Sequence, residues 1–162
     1  MSKLLLGVTL ILGAGCAPPP SLGPSPFLGP SFEWKTSRPF QRALHSAPGS
    51  EALERARIDY LLERISKSPY NFLRNGSRYT GKQAKNHFQW KYFLKHGEVK
   101  TAEDFVNRVA TRSKISGEPY FVQLAGRRRY PLQTVLLEEL SSFDQALEKK
   151  RQLMAKTSGE TH

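Results

Sequence analysis

Arg74, Asn75, Ser77, His87, Lys91, Ser113, Ser116 and Tyr120 are the residues whose types and spacing could carry a binding chemistry. Two are cations, one is an imidazole, and the others bear hydroxyl or amide groups. His87 and Lys91 stand at i and i+4, so on a helix they share a face. If that face meets the Asn75-Gly76 turn and the Ser116-Gly117 loop, Arg74 and Lys91 bracket a polar pocket suited to an anion. A plainer structural reading stands beside it. Asn75 and Gly76 serve the turn, Ser113 and Ser116 cap backbone amides, and His87 is a satisfied, partly buried histidine.

Catalysis has thin support. His87 could act as a base towards Ser77 or Ser113, which would make the alternative function an envelope hydrolase. No Gly-x-Ser-x-Gly elbow accompanies it, so no catalytic residue is assigned. Glu63, Glu98, Glu103 and Asp104 stand where helix caps and solvated faces put carboxylates. His45, His87, His96 and His162 lack ligand spacing, and no metal site follows. No Gly-rich phosphate cradle is present, and no cofactor is implied.

The second signal is basicity. Lys and Arg total 25 against 14 Asp and Glu, a formal net charge of +11. Arg127-Arg128-Arg129 forms a basic patch, and Lys149-Lys150-Arg151 a second run. Charge of this size attracts anionic partners, with plain solubility as the competing explanation. Nucleic acid is disfavoured, because only Tyr130 adjoins the first run where a binder would interleave stacking aromatics.

The pattern predicts a mainly α domain with a minor β part: four helices, a short hairpin around Asn75-Gly76 and a short strand near 120–124. A helix from near Ser50 to Lys67 has Ser50 as N-cap and Glu51 and Glu54 in its first turn. Ile58, Leu61, Leu62 and Ile65 make its buried stripe, and Pro69 ends it. Asn75-Gly76 is a tight-turn pair, with Phe72 and Tyr79 on the hairpin arms. A helix from Thr80 to near His96 carries Ala84, His87, Phe88, Lys91 and Leu94 on one side. Trp90, Tyr92 and Phe93 widen its apolar surface, which predicts that it forms the centre of the core. A third helix runs from Thr101 to about Arg112, and a fourth opens at Pro131 with Leu136, Leu140, Phe143 and Leu147 as its stripe. The segment 148–162 is expected to be a frayed basic tail.

The N-terminus reads as an export signal over residues 1–15. Lys3 is its positive end, Leu4–Leu12 its apolar run, and Gly13-Ala14-Gly15 its small residues before Cys16, the sole cysteine. From Leu4 to Ala14 a helix is about 16 Å long at ~1.5 Å per residue, roughly half a bilayer core. The arrangement resembles a bacterial lipoprotein signal, which implies lipid attachment at Cys16. Ala17, in place of Asp, points to an outer membrane facing the periplasm. Residues 16–49 hold Pro18, Pro19, Pro20, Pro24, Pro26, Pro30, Pro39 and Pro48, a tether of on the order of 100 Å if extended. Phe27, Phe32, Trp34 and Phe40 within it imply that part of it packs on the domain at 50–147.

Over roughly 56–140 the chain resembles the YfeK-like proteins, a bacterial family of small secreted proteins of unknown function. The matching pieces are Phe72 with Arg74-Asn75-Gly76, then Ala84, His87 and Lys91. Thr101-Ala102-Glu103, Phe105-Val106, Ser113, Ser116-Gly117 and Pro119-Tyr120 follow in order. The resemblance implies an exported helical domain and lends no activity. The expected function is that of a membrane-anchored envelope lipoprotein, a non-enzymatic module that binds a protein or an anionic envelope component.

Overall fold

The computed structural model of the protein describes residues 28–29, 36–95, 97–124 and 128–159. The expected signal, Cys16, Phe27, Phe32, Trp34 and Arg127 lie outside the described residues. Among the described residues five helices and a small antiparallel sheet share one core, so the protein is mainly helical with a minor β part.

Helix α2 (Glu51–Lys67) is the element on which the others pack. The Ser50 hydroxyl accepts the Leu53 amide at 3.2 Å, with Glu51 and Glu54 near the positive end of the dipole. Leu53, Ala56, Ile58, Tyr60, Leu61, Leu62 and Ile65 are buried. These residues leave no broad polar side, because α2 meets α1 (Arg38–Leu44), α3 (Gly81–Lys95), α4 (Ala102–Arg108) and α5 (Leu132–Gly159). The expectation that the 80–96 helix forms the centre of the core is therefore corrected. Trp90, Phe93 and Leu94 are 59%, 72% and 58% exposed, and α3 buries only the Gly81–Ala84–Phe88–Lys91 side.

The sheet has strand order β2-β1-β3-β4 over β1 (Asn71–Arg74), β2 (Ser77–Tyr79), β3 (Phe121–Gln123) and β4 (Arg129–Pro131). Asn75 and Gly76 take φ of 50° and 76°, the left-handed pair that a two-residue hairpin requires. Phe72 faces Tyr79 on one side and Val122 on the other. The expected hairpin and strand are thus one sheet, extended by β4. Strand β4 was not expected, because its three residues Arg129-Tyr130-Pro131 carry little strand pattern.

Two segments expected to lack structure are ordered. Residues 38–44 form α1 inside the region read as tether. Ser37 caps the Phe40 amide at 3.4 Å and Pro39 occupies the first turn, where a missing amide costs nothing. Phe40 meets Phe143 edge-on at 5.5 Å between centroids, and Leu28 is buried as well. At the other end α5 is 28 residues long, about 42 Å, and takes in residues 148–159 of the expected frayed tail. Residues 148–157 contain no Gly or Pro and favour helix. Arg151 also donates to Ala43 O at 2.7 Å and Ser46 O at 2.6 Å, binding α5 to the carbonyl end of α1.

Helix α4 has a capping box, Thr101 with Asp104. It ends at Arg108 rather than near Arg112. The Thr111 hydroxyl donates to Val106 O at 2.6 Å and Asn107 O at 3.0 Å, taking the carbonyls that another turn would use. At the start of α3, a Cβ on Gly81 would lie 2.2 Å from Ile65 O and 3.1 Å from Ser66 O and Ser68 O. Gly81→Ala is therefore expected to lower stability by about 1–3 kcal/mol, although alanine is the better helix former. Urea denaturation of the two proteins checks this.

Candidate functional site

The hairpin and the first half of α3 enclose a cleft of ≈ 300 Å³, closed behind by Tyr120 and Leu132. Its walls are apolar: Phe72, Leu73, Tyr79, Ala84, Phe88 and Leu132. Its polar groups are Arg74, Gln83, Asn86, His87 and Tyr120, and the lining holds no carboxylate.

Each polar group reaches the cleft for a local reason. Arg74 is the last residue of β1, delivered by the Asn75-Gly76 turn. Its Nε is buried and has no hydrogen-bond partner. A buried donor left unmatched costs about 1–3 kcal/mol, which an acceptor within reach of this atom would recover. Gln83 belongs to a Thr80–Gln83 capping box, in which its side-chain oxygen accepts the Thr80 amide at 2.8 Å. His87 lies one turn further along α3, and its Nε2 is 3.1 Å from the Tyr120 hydroxyl.

Burial, then Arg74 and Lys91, pushes the His87 pKa down to about 4. The imidazole is thus neutral at pH 7. Burial raises the Tyr120 pKa against the opposing pull of Arg74. The Tyr120 oxygen accepts from Lys91 Nζ at 3.4 Å and shares a hydrogen bond with His87 Nε2, whose direction follows the imidazole tautomer. Lys91 itself is occupied. Its ammonium donates to Val109 O and Arg112 O, where the backbone leaves α4, and its pKa is lowered to about 8 by burial, Lys95 and Arg74.

The eight residues singled out from sequence therefore separate into groups. Arg74, His87 and Tyr120 line the cleft, and Lys91 supports Tyr120 from behind. Asn75 and Ser116 join the turn to the 113–119 loop through a 2.7 Å bond from the Ser116 hydroxyl to Asn75 Oδ1. Buried Ser113 accepts the Ser116 amide at 3.4 Å. Ser77 is exposed on β2, opposite Arg74 in the ladder. Neither Ser77 nor Ser113 lines the cleft with His87. Sequence reasoning missed Gln83 and Asn86, although Gln83 stands four residues before His87 and follows Thr80 at capping-box spacing. Of the basic runs, Arg128 is exposed just before β4 and Arg129 at its start, and Lys149 and Lys150 are exposed on α5.

His87 gives the protein a pH signature. Its folded pKa lies below the ordinary 6.5, so the unfolded chain takes up this proton first as pH falls. The stability linked to His87 is complete above about pH 7 and is lost towards pH 4. Because the ring is partly solvated, the expected loss is about 1–2 kcal/mol rather than the full shift. Denaturation of the parent and His87→Phe at pH 7 and pH 4.5 checks this: the difference between them should shrink in acid.

Among the described residues no group of His, Cys, Asp and Glu could hold a metal ion, and no helix is long and apolar enough to cross a membrane. The model of DUF5329, a family of unknown function, matches residues 52–144, which span α2 to α5 and contain the cleft. The uncharacterised protein YfeK of Salmonella typhimurium is 36% identical over 70 residues, covering 43% of this chain and 58% of that protein. No solved structure matches the chain. The chain belongs to the DUF5329 family, whose function is unknown.

Proposed function

We propose that the domain is a non-enzymatic binding module whose cleft takes a small amphiphilic anion, a carboxylate or phosphate on an apolar body. The observation that carries this reading is the unpartnered, buried Nε of Arg74 at the edge of an apolar cleft without carboxylates. An anion there gains a charge-assisted hydrogen bond, while Phe72, Phe88 and Leu132 cover its apolar part. His87 faces the same space and accepts a proton more readily once an anion is present. Its hydroxyl partner is Tyr120 rather than a serine, which favours binding over the hydrolase alternative. In this reading the domain is held at a bacterial membrane by lipid on Cys16 and works in the envelope.

Calorimetric titration with octanoate, octyl phosphate and octanol tests the cleft. Both anions should bind at least ~10-fold more tightly than octanol, and Arg74→Gln should lose at least ~10-fold for the anions, about 1.4 kcal/mol. Equal binding of octanol and octanoate, or an unaffected Arg74→Gln, would overturn the reading.

A further inference from the structure

We propose that the outward face of α3, Trp90, Phe93 and Leu94 flanked by Lys82 and Lys85, docks the domain on an anionic lipid surface. Trp90, Phe93 and Leu94 stand at i, i+3 and i+4, so they share one side of the helix. That side is opposite Ala84, Phe88 and Lys91, which face the core. Three large apolar side chains more than half exposed on consecutive turns make a patch, not scattered surface residues.

Charge selects the occupant. Helix α3 carries Lys82, Lys85, Lys91 and Lys95 and no Asp or Glu; Lys91 is buried, which leaves Lys82 and Lys85 to flank the apolar side. The first acid beyond it, Glu98, pairs with Lys95 at 3.2 Å. Lys82 is exposed about two turns before Trp90, and Lys85 is half-buried about one and a half turns before it. A helix with lysines beside tryptophan, phenylalanine and leucine suits the interface plane of an anionic bilayer. Tryptophan rests at headgroup depth, and lysine stems lie along apolar surface while their ammonium groups reach phosphates. A protein partner fits less well, since interface cores are depleted of lysine. A second copy fits worse, because it would set Lys82 and Lys85 against their own kind.

The docking face adjoins the cleft without sharing its chemistry. The Trp90 ring is 6.4 Å from His87, so a bilayer beneath α3 would bring lipid headgroups near the cleft rim. Arg74 takes no part in the docking, and Arg74→Gln should leave it unchanged, which separates this inference from the cleft reading.

The test uses the full chain with Trp34→Phe and Cys16→Ser, which leaves Trp90 as the single tryptophan and no acylation site. The N-terminal apolar run is common to every variant, so differences between them report α3. With phosphatidylcholine vesicles containing phosphatidylglycerol, Trp90 emission should shift to the blue and be quenched by brominated acyl chains. With phosphatidylcholine alone, neither change should occur. Phe93→Ser/Leu94→Ser should reduce the membrane-associated fraction of Trp90 by ~10-fold or more, as expected when two apolar side chains leave an interface. Lys82→Glu/Lys85→Glu should remove the dependence on phosphatidylglycerol. Unquenched Trp90, equal quenching in neutral vesicles, or an unaffected Phe93→Ser/Leu94→Ser variant would overturn the proposal. So would concentration-dependent dimerisation lost in that variant, or crosslinking of the face to a protein in its place.

Discussion

Arg64→Met is expected to destabilise the protein by about 3–5 kcal/mol, the usual cost of breaking a buried ion pair from one side. Arg64 and Glu139 are among the most buried side chains, at 1% and 0% exposure. Arg64 Nε donates to Glu139 Oε1 at 2.7 Å, and the Tyr60 hydroxyl donates to the same oxygen at 2.9 Å. Burial pushes the Glu139 pKa up, and Arg64 opposes this. Remove the guanidinium and a carboxylate remains in the core with one neutral donor. Arg64 also donates to Gly29 O at 3.3 Å, so the 28–29 segment loses a link to α2. The double variant Arg64→Met/Glu139→Leu should recover much of the loss, because no charge then stays buried. Urea denaturation of the three proteins decides it. A single variant as stable as the parent would contradict the assignment.

Arg57→Met should cost about 2–4 kcal/mol by the same physics, moderated by solvent. Arg57 grips Asp144 with two bonds, 3.0 Å from Nε and 2.6 Å from a terminal nitrogen. It also reaches Glu103 at 2.5 Å and Glu54 at 2.8 Å. Those carboxylates belong to α5, α4 and α2, so one side chain joins three helices. Glu54 extends the join by accepting the Ala102 amide at 2.8 Å, where α4 begins. Burial pushes the Asp144 pKa up against Arg57, while for Glu103 burial also raises the pKa but Arg57, a backbone hydrogen bond and Thr101 together hold it down. Without Arg57 three carboxylates face one another. Acid relieves that repulsion, so the variant's deficit should shrink between pH 7 and pH 4. A deficit that does not change with pH would exclude this account of the hub.

Local chemistry was legible in the sequence wherever neighbours in the chain decide the outcome. Ser50 caps α2, Thr101 caps α4, and Asn75-Gly76 makes a hairpin turn, because capping and left-handed φ are set within a few residues. Pro39 misled because proline breaks a helix interior yet suits a helix start, and Ser37 two residues earlier is the cue that separates the cases. The apolar composition of α3 suggested a central helix. Its exposed Trp90, Phe93 and Leu94 show that apolar residues wrapped around a helix do not say which side the core takes. The ion pairs were out of reach, since Arg57 and Asp144 lie 87 positions apart and Arg64 and Glu139 lie 75 apart. Of the site, Arg74, His87 and Tyr120 were legible as polar residues near turns and on one helix face. That Lys91 is consumed by the Val109 and Arg112 carbonyls just past α4 was not, because it depends on where α4 ends.

The cleft stands or falls on Arg74 and His87, and nuclear magnetic resonance observes both atoms directly. Octyl phosphate would be titrated into the labelled protein at pH 6 while the Arg74 Nε–H and His87 ring-nitrogen signals are followed. The account predicts saturable shifts of the Arg74 Nε–H together with the His87 ring nitrogens as the ligand binds. Shifts confined to Arg128, Arg129 and the lysines of α5, with Arg74 and His87 unmoved, would contradict it.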